Sequence, residues 1–273
     1  MATFNYKGYN IYYDVTGSGE PILILNGIMM STKSWSTFVK PLSKDNMLIR
    51  VDFIDQGQSD KAPDLEYDQW IQVSLIKELL ILLKISPVNI VGVSYGGEVA
   101  LKYASKYQEH VRRLVLFNTT AKTSDWLKEI GEGWIKVGKT RDPEAYYKVT
   151  IPVIYSSEFY KNNLEWMKNR EIALKPVFSN PHFLDAMERL TKSADNHDVR
   201  SKLSSIMTTT LVVSADQDYL TPVHEQQFIV DNMPNCKHII IPKVGHASMY
   251  EVPHLFVSLV LGFVNTNEEN YPI

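Results

Sequence analysis

The chain has 273 residues, a formal net charge of −3, 44% hydrophobic and 22% charged residues, a length and balance that fit one large α/β domain with room for an insertion. Scattered lysines on a weakly acidic chain exclude the basic footprint of a nucleic-acid binder. The one cysteine, Cys236, excludes an intrachain disulfide and a cysteine-based metal site, and reads as a small structural residue just ahead of a short apolar strand.

The opening MATFNYKGYN has no basic segment followed by an apolar run, so no signal peptide is expected. Phe4–Tyr6 and Tyr9–Val15 flank a glycine. In the second run Tyr9, Ile11, Tyr13 and Val15 alternate with polar or outward residues, which predicts a hairpin with one buried face. Ile22–Leu25 is an apolar strand ending at Asn26-Gly27. A short helix carries Trp35, Phe38, Val39 and Leu42 on one side. Met47–Phe53 reads as a buried strand stopped by DQGQSD. Over 67–84, Trp70, Val73, Ile76, Leu80 and Leu83 recur at helical spacing. The longest aliphatic run, Leu79–Leu83, is far short of a membrane span, and a soluble cytoplasmic protein is expected.

Val88–Val93 is a further strand, followed by Ser94 and a helix from Gly96 to Tyr107. Val111–Phe117 is another strand. Residues 121–205 then show helices and loops without a core strand. Strands return at Thr210–Val213 and Lys237–Ile241, each followed by a helix opened by proline, at Pro222 and Pro253, where a missing N–H costs nothing. The tail from Asn265 to Ile273 is polar and reads as frayed. Strand–helix alternation implies a mostly parallel sheet covered on both faces, with an antiparallel edge from the opening hairpin. The expected organisation is a core of 1–120 and 206–273, with 121–205 inserted as a helical cap.

The strongest chemical signal is GVSYGG at 92–97, between an apolar strand and a helix. A nucleophile at the tip of a tight strand-to-helix turn needs small residues two before and two after it, and Gly92 and Gly96 supply them. The helix behind Ser94 points its amino end at developing negative charge. A serine hydroxyl needs a base near neutral pH. Of seven histidines, only His246 follows a glycine in a loop directly after a core strand. The base needs a carboxylate to fix its tautomer. LVVSADQDYLTP offers Asp216 and Asp218; Asp218, further past the strand end, is favoured, and Asp216 fits a turn cap. Asp52 and Glu98, also near strand ends, read as structural.

The order Ser94, Asp218, His246, with DFIDQGQSD, GVSYGG, ADQDYLTP and VGHASMYEVP, resembles the α/β-hydrolase superfamily in its capped, esterase-like branch, over nearly the whole chain. The resemblance implies an eight-stranded α/β-hydrolase sheet with helices on both faces. It also implies an oxyanion hole made by the backbone N–H groups of Tyr95 and Ile28. The chain departs from the family at Asn26, where histidine is usual before the Gly-X pair, and at Asp55 and Ala215, where glycine is frequent. Serine at position 94 argues against a haloalkane dehalogenase, which needs an aspartate there. The expected activity is hydrolysis of a small or medium-sized carboxylic ester or thioester through an acyl-enzyme. Acyl transfer, lyase or C–C bond hydrolysis on the same triad, and a slow-turnover ligand sensor, are the rival classes. The expected partner is a small acyl substrate; no metal-ligand cluster or phosphate loop calls for a cofactor.

Overall fold

The computed structural model describes residues 2–266. Eight strands form one sheet in the order β1-β2-β4-β3-β5-β6-β7-β8. The hairpin β1 (Ala2–Tyr6) and β2 (Tyr9–Thr16) is antiparallel, and β2 pairs antiparallel with β4 (Asn46–Val51). The rest is parallel: β3 (Glu20–Leu25), β5 (Val88–Val93), β6 (Val111–Phe117), β7 (Thr209–Ala215) and β8 (Cys236–Ile241). The expected α/β class, hairpin edge and strand sites match, with ends shifted by one or two residues. The run read as a strand to Phe53 stops at Val51, because Asp52 turns its carboxylate onto the N–H groups of Thr32 (2.6 Å) and Gln58 (2.8 Å). Cys236 opens β8 instead of preceding it, and burial pushes its thiol up to about 11, which keeps it an unreactive thiol at neutral pH.

Near-continuous apolar strands are what a sheet covered on both faces demands. Leu23 and Leu25 of β3 join one core, and Ile22 and Ile24 the other. Leu114 and Leu116 of β6 divide from Val115 and Phe117 in the same way. The first core packs under α2 (Trp70–Leu83), α3 (Tyr95–Tyr107) and α9 (Val223–Asn232). The second packs under α1 (Ser36–Leu42) and α11 (Pro253–Asn265). On α2 the buried residues include Val73, Ile76 and Leu80, as the spacing predicts; Trp70 lies at the margin, where Lys102 covers its ring. Most of the tail expected to fray lies outside the described residues; Asn265 closes α11.

Between β6 and β7 the chain forms α4 (Asp125–Lys139), α5 (Pro143–Thr150), α6 (Ser157–Asn162), α7 (Leu164–Phe178) and α8 (Pro181–Ser193). Local chemistry starts these helices: Ser124, Asp142, Ser156 and Asn180 each accept a first-turn N–H, and Pro143 and Pro181 occupy first-turn positions. The two ends of the segment meet at an antiparallel bridge between Lys122 and Asp198. Arg189 of α8 also ties it down, through a two-pronged ion pair with buried Asp55 (2.5 and 2.8 Å). Asp55 has φ +72°, a left-handed conformation that explains why a glycine would suit this turn.

Candidate active site

Strand β5 delivers Ser94 and α3 begins behind it. Ser94 sits at φ +54°, the strained geometry of a sharp strand-to-helix turn. Its N–H donates to the Phe117 carbonyl (2.9 Å), and its own carbonyl accepts from Gly97 N–H (2.7 Å) and the Thr119 hydroxyl (2.8 Å). The turn tolerates no bulk. A Cβ at Gly92 would lie 2.7 Å from the Gly96 carbonyl, and one at Gly96 would strike the Leu25 carbonyl. Gly97 is constrained as well, since a Cβ there would lie 2.6 Å from the Thr119 side chain, a demand that the small-residue spacing around Ser94 does not predict.

The structure brings the three expected residues into one chain of hydrogen bonds. His246 Nε2 lies 2.9 Å from Ser94 Oγ, and His246 Nδ1 lies 2.7 Å from Asp218 Oδ2. With the imidazole neutral, Nδ1–H donates to the carboxylate and Nε2 accepts the serine proton. Asp218 is buried and fully occupied. Its Oδ1 accepts the N–H groups of Leu220 (2.8 Å) and Thr221 (2.9 Å); its Oδ2 also accepts the Thr221 hydroxyl (2.9 Å) and the Asn118 amide (2.8 Å). Burial alone would raise this carboxyl, but the His246 charge and these hydrogen bonds outweigh it and hold the pKa below the usual carboxylate range. The competitor, Asp216, accepts Lys243 N–H at 2.6 Å and so caps the turn after β8. Among the other histidines, His224 and His254 are exposed, and His197 is buried against the Thr120 carbonyl with its pKa pushed down to about 3 by burial.

Asn26 is buried and makes three bonds. Its amide donates to the Val51 carbonyl (2.8 Å) and to Gln56 Oε1 (3.0 Å), and its carbonyl accepts Trp35 Nε1–H (2.7 Å). Gln56 in turn donates to the carbonyls of Gly27 (3.0 Å) and Ile28 (3.3 Å). This clamp pins the loop of Gly27 and Ile28 beside Ser94 by its carbonyl side. Tyr95 opens α3, where a first-turn N–H has no carbonyl one turn behind it.

Three contributors escaped the sequence reading. Asn118 bridges Asp218 and the Ser248 hydroxyl (3.1 Å). Gln56 completes the Asn26 clamp. Glu251 accepts the Gly245 N–H (3.1 Å) and the Ser156 N–H and hydroxyl (2.7 and 2.6 Å), strapping the His246 loop to the start of α6. Each is polar and unremarkable in sequence; only burial beside a partner from another element reveals it. The sequence predicts a structural role for Glu98. It does bond Gln69, but it also lines the cavity beside Ser94, and burial raises its carboxyl to about 8.

A pocket partly open to solvent leads to Ser94 and His246. Its walls come from the loop after β3, from α4, α7 and α8, and from the His246 loop, and are mostly apolar (Trp134, Leu174, Phe178). Among the described residues no group of three or more histidine, cysteine or acidic side chains could hold a metal ion, and no helix is long and apolar enough to cross a membrane.

The profile of the alpha/beta hydrolase fold matches residues 20–253. A crystal structure of MGS-M2, an alpha/beta hydrolase from a Medee basin deep-sea metagenome library, is 49% identical over all of both chains, with a TM-score of 0.97. The enol-lactonase of Burkholderia xenovorans shares the fold at 20% identity and a TM-score of 0.86, covering 97% of this chain and 100% of its own. A curated relative, the pimeloyl-acyl-carrier-protein methyl ester esterase of Nitrosomonas europaea, is 24% identical across 91% of this chain and 97% of its own length. The chain belongs to the alpha/beta hydrolase family.

Proposed function

We propose that this protein is a serine hydrolase that cleaves a carboxylic ester or thioester of a small or medium-sized substrate, with Ser94, His246 and Asp218 as its catalytic triad and 121–205 as a cap over the site. The observation that carries this reading is the unbroken contact from Ser94 Oγ through the His246 ring to a buried carboxylate. The esterase among its relatives supports the substrate class.

In the first half-reaction His246 Nε2 takes the Ser94 proton as Oγ attacks the ester carbonyl. The tetrahedral oxyanion is held by the N–H groups of Ile28 and Tyr95, which cost no reorganisation because the Asn26–Gln56 clamp and the α3 turn already fix them. The imidazolium, stabilised by Asp218, gives its proton to the leaving alcohol or thiol, leaving an acyl-Ser94. Water then attacks the acyl carbon as His246 takes its proton, and the imidazolium passes that proton to Ser94 Oγ as the acyl–oxygen bond breaks and the acid is released. Asp218 stays ionised throughout, consistent with its lowered pKa.

A fluorophosphonate probe is expected to label the wild type and not Ser94→Ala; equal labelling of both would sink the nucleophile assignment. On a short-chain nitrophenyl ester, Asp218→Asn is expected to lose about 10³–10⁴ in kcat, with Asp216→Asn nearly unaffected. The reverse ranking would move the acid to Asp216. Product analysis with water and an alcohol acceptor together separates hydrolysis from acyl transfer.

A further inference from the structure

Arg170, on α7, lines the same cavity as Ser94 and His246. Its guanidinium lies over the Tyr250 ring at 4.7 Å from the centroid and near the Trp166 ring at 5.8 Å. The Tyr155 and Tyr250 hydroxyls approach it, but its Nε is enclosed and has no acceptor. Among the described residues no carboxylate pairs with it within 4.0 Å. Glu171, its neighbour in the chain, is engaged with Lys148 and Lys175 (3.0 Å each), Glu158 of α6 with Lys243, and Glu251, next to Tyr250, with Ser156 and Gly245.

This contrasts with the other partly buried arginines. Arg50 forms a two-pronged pair with Asp14, Arg189 does so with Asp55, and Arg113 donates to the Phe263 and Thr266 carbonyls at the C-terminal end of α11. A guanidinium cannot shed its proton to escape burial. Holding that charge in an apolar wall costs free energy unless an anion completes it. The two aromatic rings offset part of that cost, and a planar guanidinium fork matches a planar anion such as a carboxylate. Of the other charged groups lining the cavity, Lys128 and Asp195 oppose each other in sign, and Glu98 carries its proton at neutral pH.

We propose that Arg170 binds a carboxylate carried by the substrate, so that the preferred substrates are esters or thioesters with a free carboxylate on the acyl or the alcohol half. This rests on the hydrolase reading above and narrows it to an anionic substrate class. The mostly apolar lining that Arg170 shares with Ser94 suits an aliphatic spacer between that carboxylate and the scissile carbonyl.

The test compares monomethyl and dimethyl esters of dicarboxylic acids from succinate to suberate, which differ in one methyl group and the charge it removes, with rates on the dimethyl ester halved for its two scissile bonds. A second arm compares butyryl-lactate with its methyl ester, to place the carboxylate on the alcohol half. For one of these arms the wild type is expected to favour the charged ester by at least about 10-fold in kcat/KM. Arg170→Met is expected to lose about 10²-fold on that ester, mainly through KM, while the neutral ester changes by less than about 2-fold. Arg170→Lys is expected to recover part of the loss.

No charge preference in the wild type, or an equal loss on both esters in Arg170→Met, overturns the proposal and leaves the hydrolase reading intact. Loss of the hydrolase reading shows instead as turnover that survives Ser94→Ala. A binding measurement guards against a misfolded variant. Glutarate is expected to raise the melting temperature of Ser94→Ala protein and glutaramide is not; equal shifts, or an equal shift with inorganic phosphate, overturn the carboxylate assignment.

Discussion

The bridge between Asp55 and Arg189 allows a stability prediction with a worked magnitude. Asp55 is 1% exposed and accepts four hydrogen bonds: two from Arg189, one from Ala62 N–H (3.0 Å) and one from the Tyr67 hydroxyl (2.7 Å). Arg189→Met removes the counter-charge and leaves a carboxylate that water cannot reach. Breaking a buried pair in this way typically costs about 3–5 kcal/mol. Two donors remain and the Lys61 ammonium lies close enough to feel Asp55, so the lower end, about 3 kcal/mol, applies here. For a chain of this size that is a fall of roughly 6–12 °C in melting temperature. Asp55→Asn combined with Arg189→Met removes the stranded charge and is expected to recover about 2 kcal/mol of the loss. Urea unfolding followed by tryptophan fluorescence reads both variants. A loss below about 1 kcal/mol for Arg189→Met, or a double variant no more stable than the single, would refute the reasoning.

Further outcomes follow from the site. Asn26→Ala removes the clamp on the Ile28 loop and is expected to lower kcat by about 10² with little change in KM, read by steady-state kinetics on a nitrophenyl ester; an unchanged kcat would leave the clamp without a catalytic part. Asn118→Ala takes one donor from Asp218 while four remain, so kcat is expected to fall only about 10-fold. Glu98 gives a pH signature. Its carboxyl titrates near 8 in the folded protein against 4.5 as its ordinary value, so the native state holds a proton that the unfolded chain releases between those values. The stability this contributes is complete below about pH 4.5 and is lost as pH rises through about 8. Glu98→Gln does not titrate, so its stability relative to wild type is expected to climb from pH 5 to pH 9, by at most about 4–5 kcal/mol. Parallel stability curves for the two proteins would count against a protonated Glu98.

The order of elements was legible in the chain because each rests on local pattern. Runs such as Val88–Val93 and Val111–Phe117 are apolar throughout because both faces of the sheet are covered, and no loop composition imitates them. The candidate site was legible where backbone demands restrict residue type: Gly92 and Gly96 around Ser94, and a glycine before His246. Asp218 was separable from Asp216 only by distance past the strand, and the reason for the difference is tertiary, since Lys243 N–H claims Asp216.

What the amino-acid sequence by itself determined is the sheet, its edge hairpin and the three residues that meet at Ser94, because periodicity and small-residue constraints act over a few positions. What only the tertiary structure decided is the company those residues keep. Asn26 holds the loop through Gln56 and Trp35, Asp55 receives an arginine from 134 residues away, and Glu251 straps the His246 loop to α6. Arg170 lines the cavity without a carboxylate partner among the described residues. Such pairings depend on which side chains are buried together, and burial of a polar or charged group has meaning only once its neighbours from distant segments are in place.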